Sequence, residues 1–405
     1  MSIQDLIIFD TSTLPEYYND VHKILALPKG HVVTYDYSAR HISEAAQQIL
    51  RALVDPKYKV RAVLAYIQPD AYQKGEEVIS DETLVSPTFQ TLTRLANVIA
   101  VRQVNHNGKP RYYIDLELFG YPYDPERTTA GNVVEALRKL DALPRKTYIS
   151  VYPDTSINAL FETKADDTAF SQVVDALSKD SSQFNKDTFW RIYSITARTK
   201  SAWPMITVKA KPLVANVGDL GNRKYSYLNV LDQSQISFHI QFCRGKQEQG
   251  KDYRIRKITV DSTPKVTSDL LTSSFWSRSF GEETVSITIP ATSSLSYQEA
   301  VFKIETGSHE KDERKDYPYG PLISVAVRYR KSIRRSLLAI VSVALSSGLF
   351  AWAAFSTSTL TSDLIAGYIV PLEYRASAVV IGVLLSLYAF YLWSDDIALD
   401  KVRRG

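Results

Sequence analysis

The chain carries one cysteine, Cys243, among its 405 residues. A lone cysteine cannot close an intrachain disulfide or build a metal cluster, and it suits a reducing compartment. Histidine is scarce as well. His22, His31, His41, His106, His239 and His309 never fall at the spacing that puts two imidazoles on one helix face. The chain also lacks a GxSxG elbow, a GxxxxGK[ST] phosphate loop and a GxGxxG turn. Asp166-Asp167 is a carboxylate pair, but acidic residues in tandem suit a helix N-terminus. His239 lies on the polar side of an alternating strand and reads as a surface or interface residue. Cys243, at the end of that strand, reads as a packing residue. The expectation is a protein that is not an enzyme, with no catalytic residues, no metal ligands and no cofactor. An enzyme with an unfamiliar site is the reading left open. The opening MSIQDLIIFDTS has no basic region and no long apolar run, so it is not read as a signal peptide.

Charge is what two C-terminal stretches lack. SLLAIVSVALSSGLFAWAAF (336–355) holds twenty residues without a charge, and ASAVVIGVLLSLYAFYLW (376–393) holds eighteen. About twenty apolar residues at 1.5 Å each cross a hydrocarbon core of about 30 Å. Arg328, Arg330, Lys331, Arg334 and Arg335 precede the first stretch. Lys401, Arg403 and Arg404 follow the second. The intervening segment, Ser356 to Arg375, has only Arg375 against Asp363 and Glu373. Basic flanks stay on the cytoplasmic side. The pattern predicts a membrane hairpin over 331–405, with the N-terminal bulk and the tail cytoplasmic and the lipid bilayer as partner. Trp352, Tyr388, Tyr391 and Trp393 supply an aromatic belt. Small residues recur every four positions as Ala378, Gly382 and Ser386, and as Ala344 and Gly348 with Ser342 and Ser346 alongside. Such spacing lets helices approach closely, within one hairpin or between subunits. Lacking intramembrane charge, a pore built from several copies would be lined by hydroxyls and close by dewetting. The same lack argues against a transporter or proton pump.

The rest divides by pattern into an α+β fold. Residues 1–155 read as a mainly antiparallel α+β domain. Strands are expected at Ile3 to Phe9, His31 to Tyr37, Val60 to Ile67, Ala96 to Val104, Arg111 to Phe119 and Tyr148 to Tyr152. Helices are expected over His41 to Val54 and around Val133 to Leu140, where Asn132 and Glu135 form a capping box. Asn107-Gly108 predicts a hairpin. Residues 156–202 read as a helical joint, with one helix on Phe170, Val173, Val174 and Leu177 and a second through Phe189, Trp190 and Ile192. Residues 203–330 read as a β-sandwich of about seven strands. The clearest strands are Ile236 to Phe242, Val285 to Ile289 and Ile323 to Val327. Met205 to Leu213, Tyr225 to Val230, Tyr253 to Val260 and Ala300 to Ile304 are fainter.

Basic residues crowd the stretch from Arg198 to Lys257. Arg198, Lys200, Lys209, Lys211, Arg223, Lys224, Arg244, Lys246, Lys251, Arg254, Arg256 and Lys257 stand against four acids, a net charge of +8 where the whole chain has +4. Tyr225, Tyr227 and Tyr253 are interleaved. Charge with ring faces suits a nucleotide or short DNA ligand, with Arg244, Lys246, Lys251, Arg254, Arg256 and Lys257 as binding candidates. A solvated face against anionic lipid headgroups accounts for the same residues.

The closing spans, the basic segment KDYRIRK (251–257) and the layout of a large soluble part before two spans resemble the membrane effectors of bacterial anti-phage systems, most nearly the Hailong type. That resemblance implies a homo-oligomeric channel of the inner membrane, taken as a tetramer. It implies a partner nucleotidyltransferase whose DNA oligomers hold the channel shut. The leading expectation is thus a ligand-gated channel or pore. The alternative is a membrane-tethered binding or scaffold protein whose spans serve only as an anchor.

Overall fold

Alternation, turn chemistry and helical stripes decide most of the local structure. The computed structural model describes residues 5–11, 15–53, 60–69, 87–122, 149–152, 158–161, 166–180, 184, 187–199, 201, 208–245, 256–263, 273–277, 281–289, 292, 294–308, 322–355 and 372–393. In chain order the N-terminal elements are β1 (Asp5–Thr11), α1 (Pro15–Ala26), β2 (Val32–Ser38), a 3-10 turn (Ala39–His41), α2 (Glu44–Ala52), β3 (Val60–Pro69), β4 (Pro87–His106), β5 (Lys109–Leu118) and β6 (Ile149–Tyr152). Helices α3 (Asn158–Phe161) and α4 (Asp166–Asp180) lead to β7 (Thr188–Thr199). Then come β8 (Lys211–Pro212), β9 (Asn216–Leu220), β10 (Arg223–Leu231), β11 (Ser234–Arg244), β12 (Arg256–Thr263), β13 (Ser273–Ser277), β14 (Gly281–Thr288), β15 (Gln298–Ser308) and β16 (Leu322–Arg330). Two helices, α5 (Ile333–Phe355) and α6 (Leu372–Trp393), follow. The fold is mixed α+β with largely antiparallel sheets and two C-terminal apolar helices.

Three sheets form, with strand orders β2-β5-β4-β3-β1-β6, β13-β12-β15-β16-β10-β9 and β14-β11-β7-β8. Pairing is antiparallel except for β1 with β3 and β10 with β16. The expected hairpin is present: His106 pairs with Lys109, and Asn107 and Gly108 take φ of 50° and 74°. Two positive φ angles in a two-residue loop match the twist of the flanking strands. Helix α2 is shorter than its apolar pattern, because Ser43 caps it by accepting a bond from the Ala46 N–H at 3.3 Å. The expected helix around Val133 to Leu140 lies outside the described residues.

One expectation is overturned. Phe189, Trp190 and Ile192 belong not to a helix but to strand β7, which pairs with β11 along its whole length. Thr188 to Ile192 are all buried, so alternation is erased there and resumes only at Ile195 and Ala197. The joint 156–202 is therefore helical only as far as Asp180 within the described residues, and its last part is a central strand of the four-stranded sheet. The α4 stripe is as read: Phe170, Val173, Val174 and Leu177 are buried, in a cluster with Val21, Leu25, Tyr66, Phe184 and Phe189.

A larger buried cluster runs continuously through all three sheets, with Phe238 of β11 meeting Phe302 of β15 edge-on at 6.1 Å. Asp115, fully buried on β5, ties the first sheet to the second. It accepts bonds from Thr34 Oγ1 at 2.7 Å, Arg102 Nη2 at 3.0 Å and the Lys224 backbone N–H at 3.1 Å. Ser226 Oγ accepts from the Val32 N–H at 3.2 Å beside it.

Candidate functional site

The place where the strands hand over to the apolar helices is built more tightly than any charge pattern foretold. Strands β10 and β16 run parallel and end together, Leu231 opposite Arg330. The Asp232 N–H donates to the Arg330 carbonyl at 2.9 Å, which extends that ladder by one bond. Asp232 and Gln233 form the tight turn into β11, with Gln233 at φ 54°. After Arg330 only Lys331 and Ser332 precede α5.

Ser332 stands at the N-cap, its Oγ 3.5 Å from the Arg335 N–H. Asp232 then closes the junction. Its Oδ1 accepts the Ser332 N–H at 3.0 Å and Arg335 Nη2 at 2.6 Å. Arg335 Nη2 also donates to the Asp232 carbonyl at 2.6 Å, and Arg335 Nη1 donates to Gln233 Oε1. Thr292 N–H approaches Asp232 Oδ2 at 3.5 Å. Asp232 is 5% exposed and Arg335 7%. A carboxylate at a helix N-terminus also complements the helix dipole. A buried pair held by several hydrogen bonds resists separation, since stripping one partner leaves an uncompensated charge. Arg335 was legible only as one of the basic flank, and Asp232 only as an acid among bases. Their sequence separation of about a hundred residues hid the pair.

The helices beyond the junction are long and apolar enough to span a membrane. The most apolar eighteen-residue stretch has a mean hydropathy of 2.0 within Ile333–Ala354 and 1.7 within Tyr374–Leu392, and only 22% of each stretch is buried within the chain. They pack side by side. Ser346 Oγ donates to the Gly382 carbonyl at 2.8 Å and lies 2.7 Å from Ser386 Oγ. A Cβ on Gly382 would stand 3.1 Å from the Phe350 ring. Ala339, Ser342, Ser346 and Ala353 of α5 and Ala378, Gly382, Ala389 and Leu392 of α6 are buried. Ser342 Oγ bonds back to the Leu338 carbonyl at 2.7 Å. Gly348 is different: a Cβ there would meet nothing within 4 Å, and Ala344 is exposed with it. Near the far end of α6, the Tyr391 hydroxyl reaches the Ser201 carbonyl at 3.3 Å, so α6 returns to the sheets.

Most of the described members of the basic segment lie on several strands. Arg198 is exposed on β7 and bonds Gln235 Oε1 at 2.9 Å. Lys211 sits beside it, opposite Ala197. Arg244 ends the same ladder opposite Thr188, nine residues along β11 from Gln235 and so roughly 30 Å away at about 3.3 Å per residue. Arg223 and Lys224 begin β10 in another sheet, and Lys224 Nζ is paired with Asp219 at 2.6 Å. Arg256 and Lys257 occupy β12, opposite Ser277 and Trp276. Lys200, Lys246, Lys251, Tyr253 and Arg254 lie outside the described residues. Tyr225 and Tyr227 do sit together, 5.6 Å apart, with the Arg328 guanidinium over both rings. Arg328 also pairs with Glu299 at 3.3 Å.

His239 lies between Thr196 Oγ1, 3.0 Å from Nε2, and Thr284 Oγ1, 3.1 Å from Nδ1. The Cys243 thiol is buried and pushed up to about 11 by that burial, with the Asp175 charge adding to it. Asp166 and Asp167 open α4. Among the described residues no three His, Cys, Asp or Glu side chains converge. No protein-family model and no curated protein sequence matches the chain.

Proposed function

We propose that the chain is a homo-oligomeric channel or pore-forming effector whose α5–α6 pair crosses a bacterial inner membrane as a hairpin. Its β-rich cytoplasmic part, with the second and third sheets packed as a sandwich, carries the sensor for an anionic nucleotide or short oligonucleotide. The role fits anti-phage defence of the Hailong type, with a nucleotidyltransferase supplying the ligand. The observation that carries the reading is the junction: β10, β11 and β16 reach the first span through a two-residue link clamped by Asp232 and Arg335. A ligand shifts an equilibrium only through its differential affinity for the two arrangements of the sheets, and a clamped two-residue link passes that difference to the spans. An anchor would tolerate a loose linker.

One observation favours the alternative of a tethered binding or scaffold protein. Ser346, Ala378 and Gly382 are buried within one chain, where Ser346 also meets the Ser386 hydroxyl, which is all an anchor requires. Flux through liposomes reconstituted with the full chain separates the two, measured with and without short DNA oligomers. A channel gives flux that changes with oligomer. Absence of flux from folded, inserted protein supports the anchor. Arg254→Glu with Arg256→Glu is expected to blunt the oligomer response without preventing insertion, and an unchanged response rules those residues out as the ligand site.

A further inference from the structure

Between β14 and β15, Thr292 and residues 294–297 stand at the foot of α5. Ser294 accepts a bond at 3.0 Å from the backbone N–H of Lys331, the residue that leads into the first apolar helix. The loop is shaped by its own hydroxyls. The Ser294 N–H donates to Thr292 Oγ1 at 3.1 Å, Ser294 Oγ lies 2.8 Å from Ser296 Oγ, and Thr292 Oγ1 donates to Gln298 Oε1 at 3.1 Å. So fixed, the loop presents Leu295 at 63% exposure and Tyr297 at 49%.

These side chains stand beside the start of α5, where a span would leave the headgroup region. Leu295 is one residue from the Ser294 carbonyl that holds Lys331, and Ile333 and Leu337 at the start of α5 are exposed too. The cations around them are not all equivalent. Arg335 is neutralised by Asp232. Arg330 lies over the Tyr297 ring at 4.8 Å, and Arg334 is exposed on the first turn of α5. An exposed leucine, a tyrosine with a polar tip beneath Arg330 and the exposed charge of Arg334 beside an apolar helix fit the headgroup region of a bilayer.

Resting on the membrane reading above, we infer that Thr292 and residues 294–297, with Arg330, Lys331 and Arg334, form a seat for an anionic phospholipid, into whose acyl boundary Leu295 inserts. The loop contacts both Lys331 and, through Thr292, Asp232. Lipid occupancy therefore bears on the same junction that links sheets to spans.

The test uses the full chain in bilayers of phosphatidylcholine mixed with phosphatidylglycerol. Spin labels are placed singly at Leu295→Cys, Leu345→Cys and Gly108→Cys in a Cys243→Ala background. If that background does not fold, Cys243 is kept, because its buried, weakly acidic thiol reacts slowly. Labels at 295 and 345 are expected to be reached by oxygen and shielded from a water-soluble nickel reagent, while the label at the 108 turn shows the reverse. A label at 345 in lipid with 295 in water overturns the loop assignment alone. Both in water overturn the membrane reading and this inference with it. A label at 295 shielded from both reagents places protein there, and overturns the lipid assignment. Native mass spectrometry is expected to find phosphatidylglycerol retained over phosphatidylcholine, with retention falling about fivefold for each of Arg330→Gln and Arg334→Gln. Equal retention of the two lipids would remove the anionic seat.

Discussion

Asp232 and Arg335 show how much one pair can carry when it sits between two kinds of structure. Arg335→Gln leaves the Asp232 carboxylate without its closest cation, and Asp232→Asn leaves the guanidinium buried without a counter-charge. Each single change is expected to cost about 3–5 kcal/mol. The double variant is expected to cost less than the two summed, because the residues form one unit. Chemical unfolding of the detergent-solubilised protein measures this, and strict additivity would show that the two act separately. His31 offers an independent residue-scale test. Burial, and next the Arg94 charge, lower its pKa from 6.5 to about 4. Below about 6.5 the unfolded chain takes up a proton that the folded chain refuses until about 4. Stability therefore falls as pH drops across that window, by roughly 3 kcal/mol at full effect, and levels off beneath it. His31→Gln is expected to flatten the dependence, seen as a smaller loss of Tm between pH 7 and pH 4.

At the scale of elements, the α5–α6 pair is a close contact between small residues. The Phe350 ring stands against Gly382, so Gly382→Leu pushes the helices apart and breaks the fit around Ser346. A loss of about 1–3 kcal/mol is expected, read as a lower Tm in detergent. Gly348→Leu, on a surface open for at least 4 Å, is expected to leave the stability of the single chain unchanged. Dissociation of an oligomer by Gly348→Leu but not by Gly382→Leu, followed by size-exclusion with light scattering, would locate contacts between subunits on the outer face. Strand β7 makes a complementary point about elements. Its alternation is lost where α1 packs on it, Phe189 joins the cluster of the α4 stripe and Trp190 and Ile192 join the cluster shared by the sheets, and its apolar spacing there imitates a helix.

At the scale of the molecule, the basic segment and the apolar helices differ in what their sequence signals mean. A net charge of +8 over sixty residues reads as one surface, while among the described members Arg198 and Arg244 stand at opposite ends of one ladder and Arg223 and Lys224 belong to another sheet. A ligand contacting Arg244 does not thereby contact Arg198 in the same chain. If an oligonucleotide gates the protein, its site is therefore expected to draw on only part of the segment. Single charge reversals at Arg198 and at Arg244 should then affect oligomer-dependent flux unequally. Equal effects would point to a ligand long enough to span the sheet.

The chain's own sequence determined the apolar lengths of α5 and α6, the Asn107-Gly108 turn, the α4 stripe and the alternation of β11 and β16. Each depends on neighbours a few residues apart, so local chemistry is enough. Tertiary structure alone decided that β7 is a strand, that Arg198 and Arg244 stand at opposite ends of one ladder, that Ser346 faces Gly382 while Gly348 faces outward, and that Asp232 meets Arg335. These outcomes depend on which segments are brought together across long stretches of chain, and burial on two sides or a partner a hundred residues away leaves no periodic mark in a sequence.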